Sequence, residues 1–254
     1  MQLYLSVTAD HRRRSSLWPH AFAHVAYRIG PQSRLLRQTL LSDTHGGLLS
    51  LSDRSAPVIS CPEQLCRDIF RECCQRSYSG VLADFEERLT ADRLAFLRQL
   101  QTMLEKNRRR LYLPETIARH IPRSTAVICT ALSGGNLRRR LEEAAAFFGS
   151  ERTALDLQRL MMDFPLPCPG GMGSPLKQEQ LGMLMGTYSP MTFYSADLSA
   201  KYFTYCENGL HHFVLYDDAH TLREKIRLGQ SMGFCAAFLM YPEIEDLLEQ
   251  LSAK

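Results

Sequence analysis

The sequence is short of lysine, with five in 254 residues, and of tryptophan, with one; it has no cysteine pair spaced C-x-x-C and no long uncharged apolar run. Scarce lysine leaves the basic side to arginine. Thirty basic residues against twenty-seven acidic ones give a net charge of +3, too small for net charge alone to imply a nucleic-acid partner. The missing C-x-x-C spacing excludes the usual zinc frameworks, and no metal or other cofactor is expected. The eight cysteines, Cys61, Cys66, Cys73, Cys74, Cys129, Cys168, Cys206 and Cys235, are scattered and read as reduced thiols. No basic stretch followed by an apolar segment opens the chain, and no run is long enough to span a bilayer. The expectation is therefore no signal peptide, no membrane partner, and a cytoplasmic or spore-associated location. What is present is 45% hydrophobic residues with ordinary glycine and proline, enough to build one full core.

Strand-like runs recur at 3–7, 24–29, 47–52, 80–86, 110–113, 125–132, 156–164, 191–194 and 234–241. Helical patterns separate many of them, most clearly over 62–76, 90–109, 136–148, 176–185 and 218–232. Such alternation predicts parallel βαβ units, and their number suits a single-domain (β/α)8 TIM barrel over 1–254 with abbreviated helices in its first repeats. Nine runs compete for eight places, and the run near Leu111 or Thr125 is expected to fall outside the barrel.

Ser79-Gly-Val-Leu-Ala-Asp-Phe-Glu86 reads as an apolar strand ending in two acids. Asp84 and Glu86 share one face, and Phe85 faces the other. Two carboxyl groups held together at the rim of an apolar barrel have their pKa values pushed apart, which leaves one available as an acid.

This segment resembles the signature of glycoside hydrolase family 18, an Asp-Gly-x-Asp-x-Asp-x-Glu run on the fourth barrel strand, and it aligns without a gap. Lys201 to Asp218, followed by Leu222, Lys225 and Met232-Gly-Phe-Cys-Ala-Ala-Phe-Leu-Met-Tyr241, is similar to the family's hairpin, last helix and final strand. Leu157-Gln-Arg-Leu-Met-Met-Asp-Phe164 looks like its Met-x-Tyr-Asp strand. The resemblance implies a substrate-assisted, retaining hydrolysis of glycans carrying N-acetylglucosamine, such as chitin oligomers, peptidoglycan or N-glycans. Glu86 would be the acid and base, and Asp84 would orient the acetamido group. Asp163, Met162, Tyr241 and Phe85 would bind the substrate, Tyr241 standing near the family's sugar-floor tryptophan and Phe85 where it often has tryptophan.

Two departures bear on activity. Leu82 replaces an aspartate beside Asp84, and Met162 replaces a tyrosine whose hydroxyl donates to the acetamido carbonyl, which a thioether cannot do. The alternative expectation is accordingly a catalytically impaired glycan-binding barrel, or a scaffold of a spore or cell assembly. Among lesser signals, Gly170-Gly-Met-Gly173 is expected as a lid on the catalytic face. Asp43, His45 and Gly46-Gly47 form a turn placed near the rim. His211 and His212 read as hairpin surface with one buried hydrogen bond, and Trp18 as a plug at the barrel's edge. The Arg-Arg-Arg runs at 12–14, 108–110 and 138–140 are read as helix-end and surface charge, with phosphate binding as the alternative.

Overall fold

The computed structural model describes residues 1–15, 18–38, 44–168 and 170–252. The chain begins with β1 (Gln2–Val7), α1 (Ala9–Arg14), β2 (Ala21–Ile29), β3 (Leu35–Arg37) and β4 (Leu48–Ser52). It continues through α2 (Pro62–Gln75), β5 (Gly80–Asp84), α3 (Ala91–Lys106), β6 (Arg110–Pro114), α4 (Glu115–Ala118), β7 (Thr125–Cys129), α5 (Leu137–Phe148) and β8 (Thr153–Asp156). A second sheet then interrupts the alternation, with β9 (Met161–Leu166), β10 (Ser174–Pro175), α6 (Gln178–Tyr188), β11 (Phe193–Ser195), β12 (Ala200–Glu207) and β13 (Leu210–Tyr216). The chain closes with α7 (Ala219–Ser231), β14 (Ala236–Met240), α8 (Tyr241–Ile244) and α9 (Leu248–Ser252).

Parallel pairing runs β1-β14-β8-β7-β6-β5-β4-β2, and β1 pairs with β2 to close the ring. The fold is a (β/α)8 barrel with β3 added antiparallel to β2. Its opening repeats are abbreviated as expected, α1 having six residues. Period-two alternation divides each strand between two cores. From β5, Val81 and Ala83 face the surrounding helices, while Leu82 faces the interior. That interior is filled by Tyr4, Ala23, Leu48, Tyr112, Ala154, Ala236 and Phe238. Tyr4 stacks on Phe238 with ring centres 5.3 Å apart, and Tyr112 meets Phe238 edge-on at 5.2 Å. The barrel is thus plugged by side chains, as such barrels are. Above the plug, at the strand ends, there is space for a ligand. At the other end of β5, a Cβ on Gly80 would collide with the Arg110 carbonyl, so glycine lets β5 and β6 approach there.

Three expectations about strands are corrected. The Leu111 and Thr125 runs are both barrel strands, β6 and β7. The 156–164 run is two elements, because the seventh barrel strand ends at Asp156 and Met161–Leu166 belongs to the second sheet. The 191–194 run corresponds to β11, also in that sheet. Short apolar runs look alike in sequence whichever sheet they join, and only pairing separates them.

The inserted sheet is antiparallel, in the order β10-β9-β13-β12-β11. Helix α6 covers one face, packing Leu181 among Phe203, Tyr205, Val214 and Tyr216. Arg159 fastens the base of the insertion to the C-terminal segment. It donates to the Glu243 carbonyl at 2.9 Å and to Asp246 at 2.6 Å, and its side chain is almost wholly enclosed. Beside it, Asp217 and Lys225 form a fully buried ion pair at 2.7 Å. Thr221 and the Leu160 N–H complete the hydrogen bonding of Asp217.

Candidate active site

Above the aromatic plug, the C-terminal ends of the strands surround a cleft of about 520 Å³. Asp84 ends β5, and Glu86 follows in the turn after it; both line this cleft. The alternation that sends Leu82 inward carries on through Asp84 to Glu86, while Phe85 turns outward. The turn is held from beneath. Asp53, just after β4 and fully buried, accepts the Glu86 N–H at 3.0 Å and pairs with Arg93 of α3 at 3.1 Å. A buried charge tied by several donors in this way fixes backbone position as much as it adds stability.

The rest of the rim is rich in carboxyl groups. Asp156 at the end of β8 and Glu243 after β14 join Asp84 and Glu86. Burial raises the Asp84 carboxyl above the usual range, helped by the charges of Glu86 and Asp53. The Asp84 side chain is nonetheless open to solvent where it lines the cleft. Burial, Glu243 and Asp84 together push Asp156 up to about 7. Glu243 is raised by burial, against the opposing effect of the Arg159 N–H bonded to it at 2.9 Å. Glu115 differs: burial would raise it, but its bonds to Arg140 and Arg119 hold it low. Arg140, the one arginine lining the cleft among the described residues, is thereby tied to Glu115. The lining has hydroxyl and amide donors in Ser6, Ser50, Thr116 and Gln158, and neither tyrosine nor tryptophan among the described residues.

Four of the six anticipated site residues lie elsewhere. Phe85 is buried against α3, its ring 6.4 Å from Phe96, because odd positions of this strand face the helices. Tyr241, the first residue of α8, continues the outward parity of β14. It is buried, bonds Glu245 through its hydroxyl at 2.9 Å and stacks on His11, while Met240 before it reaches the cleft. Met162 and Asp163 are in β9 of the inserted sheet. Asp163 accepts from the Tyr205 hydroxyl at 2.9 Å and lies 3.1 Å from His212 Nδ1. That bond fulfils the expectation for the histidine pair, since His211 is exposed and His212 half-buried.

Gly170-Gly-Met-Gly173 is part of the turn from β9 to β10, not of a barrel loop. Gly46-Gly47 precedes β4 and therefore sits at the opposite barrel end from the cleft, where the Gly46 carbonyl accepts from His24 Nε2 at 3.2 Å; Asp43 lies outside the described residues. Trp18 is buried, and its ring N–H bonds the Ala21 carbonyl at 3.1 Å, in keeping with a plug. Sequence reasoning missed Asp53, Asp156 and Glu243. Asp156 did carry a signal, since Thr153-Ala-Leu-Asp156 repeats the pattern of an apolar strand ending in an acid seen at Asp84.

Solved structures share this architecture over nearly the whole chain. The spore cortex-lytic enzyme SleL of Bacillus megaterium is 15% identical, with a TM-score of 0.67 over 98% of this chain and 73% of that one. A chitinase from Chromobacterium violaceum is 15% identical, with a TM-score of 0.67 and full coverage of both chains. A glycoside hydrolase family 18 chitinase from Cycas revoluta, in complex with (GlcNAc)3, is 12% identical with a TM-score of 0.62 over 99% and 98%. The barrel shares its fold with these structures, a glycoside hydrolase family 18 chitinase among them. No family model and no curated protein matches the sequence, so the family 18 likeness is carried by the fold, at identities too low to transfer an activity.

Proposed function

We propose that this chain hydrolyses glycans containing N-acetylglucosamine, acting as one unit over 1–254, with Glu86 as general acid and base. The observation that carries the reading is the inward pair Asp84 and Glu86 at the end of the fourth strand of a family 18 barrel, opening into a 520 Å³ cleft. In the first step Glu86 gives its proton to the leaving glycosidic oxygen while the substrate's own acetamido oxygen closes on the anomeric carbon. Asp84 accepts the acetamido N–H and faces the positive charge that develops. Water, deprotonated by Glu86, then opens the ring intermediate with retention. The cortex-lytic and chitinase names of the structural relatives make peptidoglycan and chitin oligomers the substrates to test.

Leu82 and the lack of a tyrosine hydroxyl in the described lining favour a second reading, a barrel that binds such glycans and turns them over slowly or not at all. Losing one oriented donor lowers rate by about two to three orders of magnitude. The deciding measurement is release from fluorogenic chitobiose, fluorogenic chitotriose and purified peptidoglycan, comparing the natural chain with Glu86→Gln. Release that falls at least about a hundredfold in the variant is the expected result. Unchanged release would remove Glu86 from the chemistry, and saturable binding without release would establish the second reading.

A further inference from the structure

The opposite end of the barrel carries a second concave surface, of the opposite charge. Where β6 and β7 begin, Arg110 and Thr125 open onto a hollow of about 270 Å³ that also receives Arg108, Arg109 and Arg123. An adjoining hollow of about 330 Å³ shares Gln101, Glu105 and Arg123 with the first, and adds Arg98 and His120. Glu105 is the one carboxylate lining either hollow among the described residues, and it is already bound to Arg123 at 2.8 Å. Arg98, Arg108, Arg109 and Arg110 have no carboxylate partner among the described residues; Arg110 bonds the Glu151 carbonyl at 3.0 Å, and Arg109 Nη2 lies 3.8 Å from Cys74 Sγ with its guanidinium 6.0 Å from the Phe70 ring.

Two buried polar atoms in this place have no partner. Gln101, 7% exposed, leaves its Oε1 unbonded, and the Arg109 Nε is likewise buried and unbonded. Such groups ordinarily destabilise a fold and are rare unless something absent completes them. The Gln101 amide can present its NH2 by turning over, so it can donate as well as accept. The dipole of α3 attracts cations only within its last turn. It therefore accounts for charge near Lys106, and not for Arg110 from β6 or Arg123 from the segment before β7.

We propose that this arginine-lined hollow is a binding site for phosphate groups. Guanidinium forks match phosphate oxygens in pairs, and a doubly charged oxyanion relieves the mutual repulsion of four arginines better than a carboxylate does. The two adjoining hollows accommodate successive phosphate groups of one ligand. The site stands apart from the cleft and does not depend on the glycosidase reading.

Isothermal titration of the full chain with inorganic tripolyphosphate, inorganic phosphate and acetate, at matched ionic strength, tests it. Saturable binding of tripolyphosphate is expected, weakening steeply with added salt. Arg108→Ala, at an exposed position, and Arg109→Gln should each weaken binding by about tenfold. Arg139→Ala, on the exposed face of α5, and Glu86→Gln should bind as the natural chain does, with circular dichroism verifying that every variant is folded. Absence of saturable binding, acetate binding as tightly as phosphate, or equal affinity in the Arg108 and Arg109 variants would overturn the proposal.

Discussion

Val81-Leu-Ala-Asp84 and Thr153-Ala-Leu-Asp156 are similar strand endings, and both deliver a carboxyl group to the cleft. Their surroundings set their titration. Asp156 has Glu243 and Asp84 near it and burial around it, and is pushed up to about 7. Because the folded protein holds this proton more tightly than the unfolded chain does, the native state gains from it below about pH 4. That gain is lost as pH rises from about 4 to about 7. Asp156→Asn should match the natural chain in urea denaturation near pH 4 and exceed it at pH 8, by up to about 4 kcal/mol. A variant less stable at pH 8 would mean that Asp156 is held as a favourable anion, contrary to the charges around it.

At the scale of elements, the seam between the inserted sheet and the barrel depends on few contacts. Lys225 in α7 and Asp217 after β13 are fully buried against each other, with Thr221 and the Leu160 N–H filling the remaining positions on the carboxylate. Lys225→Met leaves an uncompensated buried anion and should cost about 3–5 kcal/mol, whereas Asp217→Leu combined with Lys225→Met should recover much of that loss. Urea denaturation of the single and double variants measures the difference. Asp53 plays a comparable part beneath the candidate acid, through its bond to the Glu86 N–H and its pair with Arg93. Asp53→Ala should lower hydrolysis by about tenfold or more through misplacement of Glu86, mainly in kcat; an unchanged rate would show that the turn holds its own shape.

For the whole molecule, a net charge of +3 conceals two unlike ends. Carboxyl groups gather where the barrel strands end and arginines where β6 and β7 begin. The thiols are also sorted by depth. Cys66 and Cys73 lie in the core between strands and helices, and burial pushes both up to about 12. Cys61, Cys74, Cys129 and Cys206 are exposed. A colorimetric thiol titration of the native protein should therefore leave Cys66 and Cys73 unreacted until denaturant is added, identified by mass spectrometry of the labelled peptides. Early labelling of either would contradict the packing of α2 on the barrel.

The alternation of apolar strands with helices determined the barrel, and the two-residue parity of Asp84 and Glu86 determined that they share its interior. These are local properties, set by backbone geometry and hydrophobic pattern. Parity also argues against Phe85 and Tyr241 as cleft residues, since each follows the inward last residue of a strand, Asp84 or Met240. Pairing partners decided the rest. The Met161–Leu166 run is as apolar as a barrel strand, yet its hydrogen bonds go to β13 and β10, which takes Met162 and Asp163 out of the cleft. Asp53, Asp156 and Glu243 reach the site from segments far apart in the chain. Arg108, Arg109, Arg110 and Arg123 likewise form a basic hollow only when β6 and β7 start side by side. Long-range proximity of charges comes from the closed ring of strands, and no local pattern encodes it.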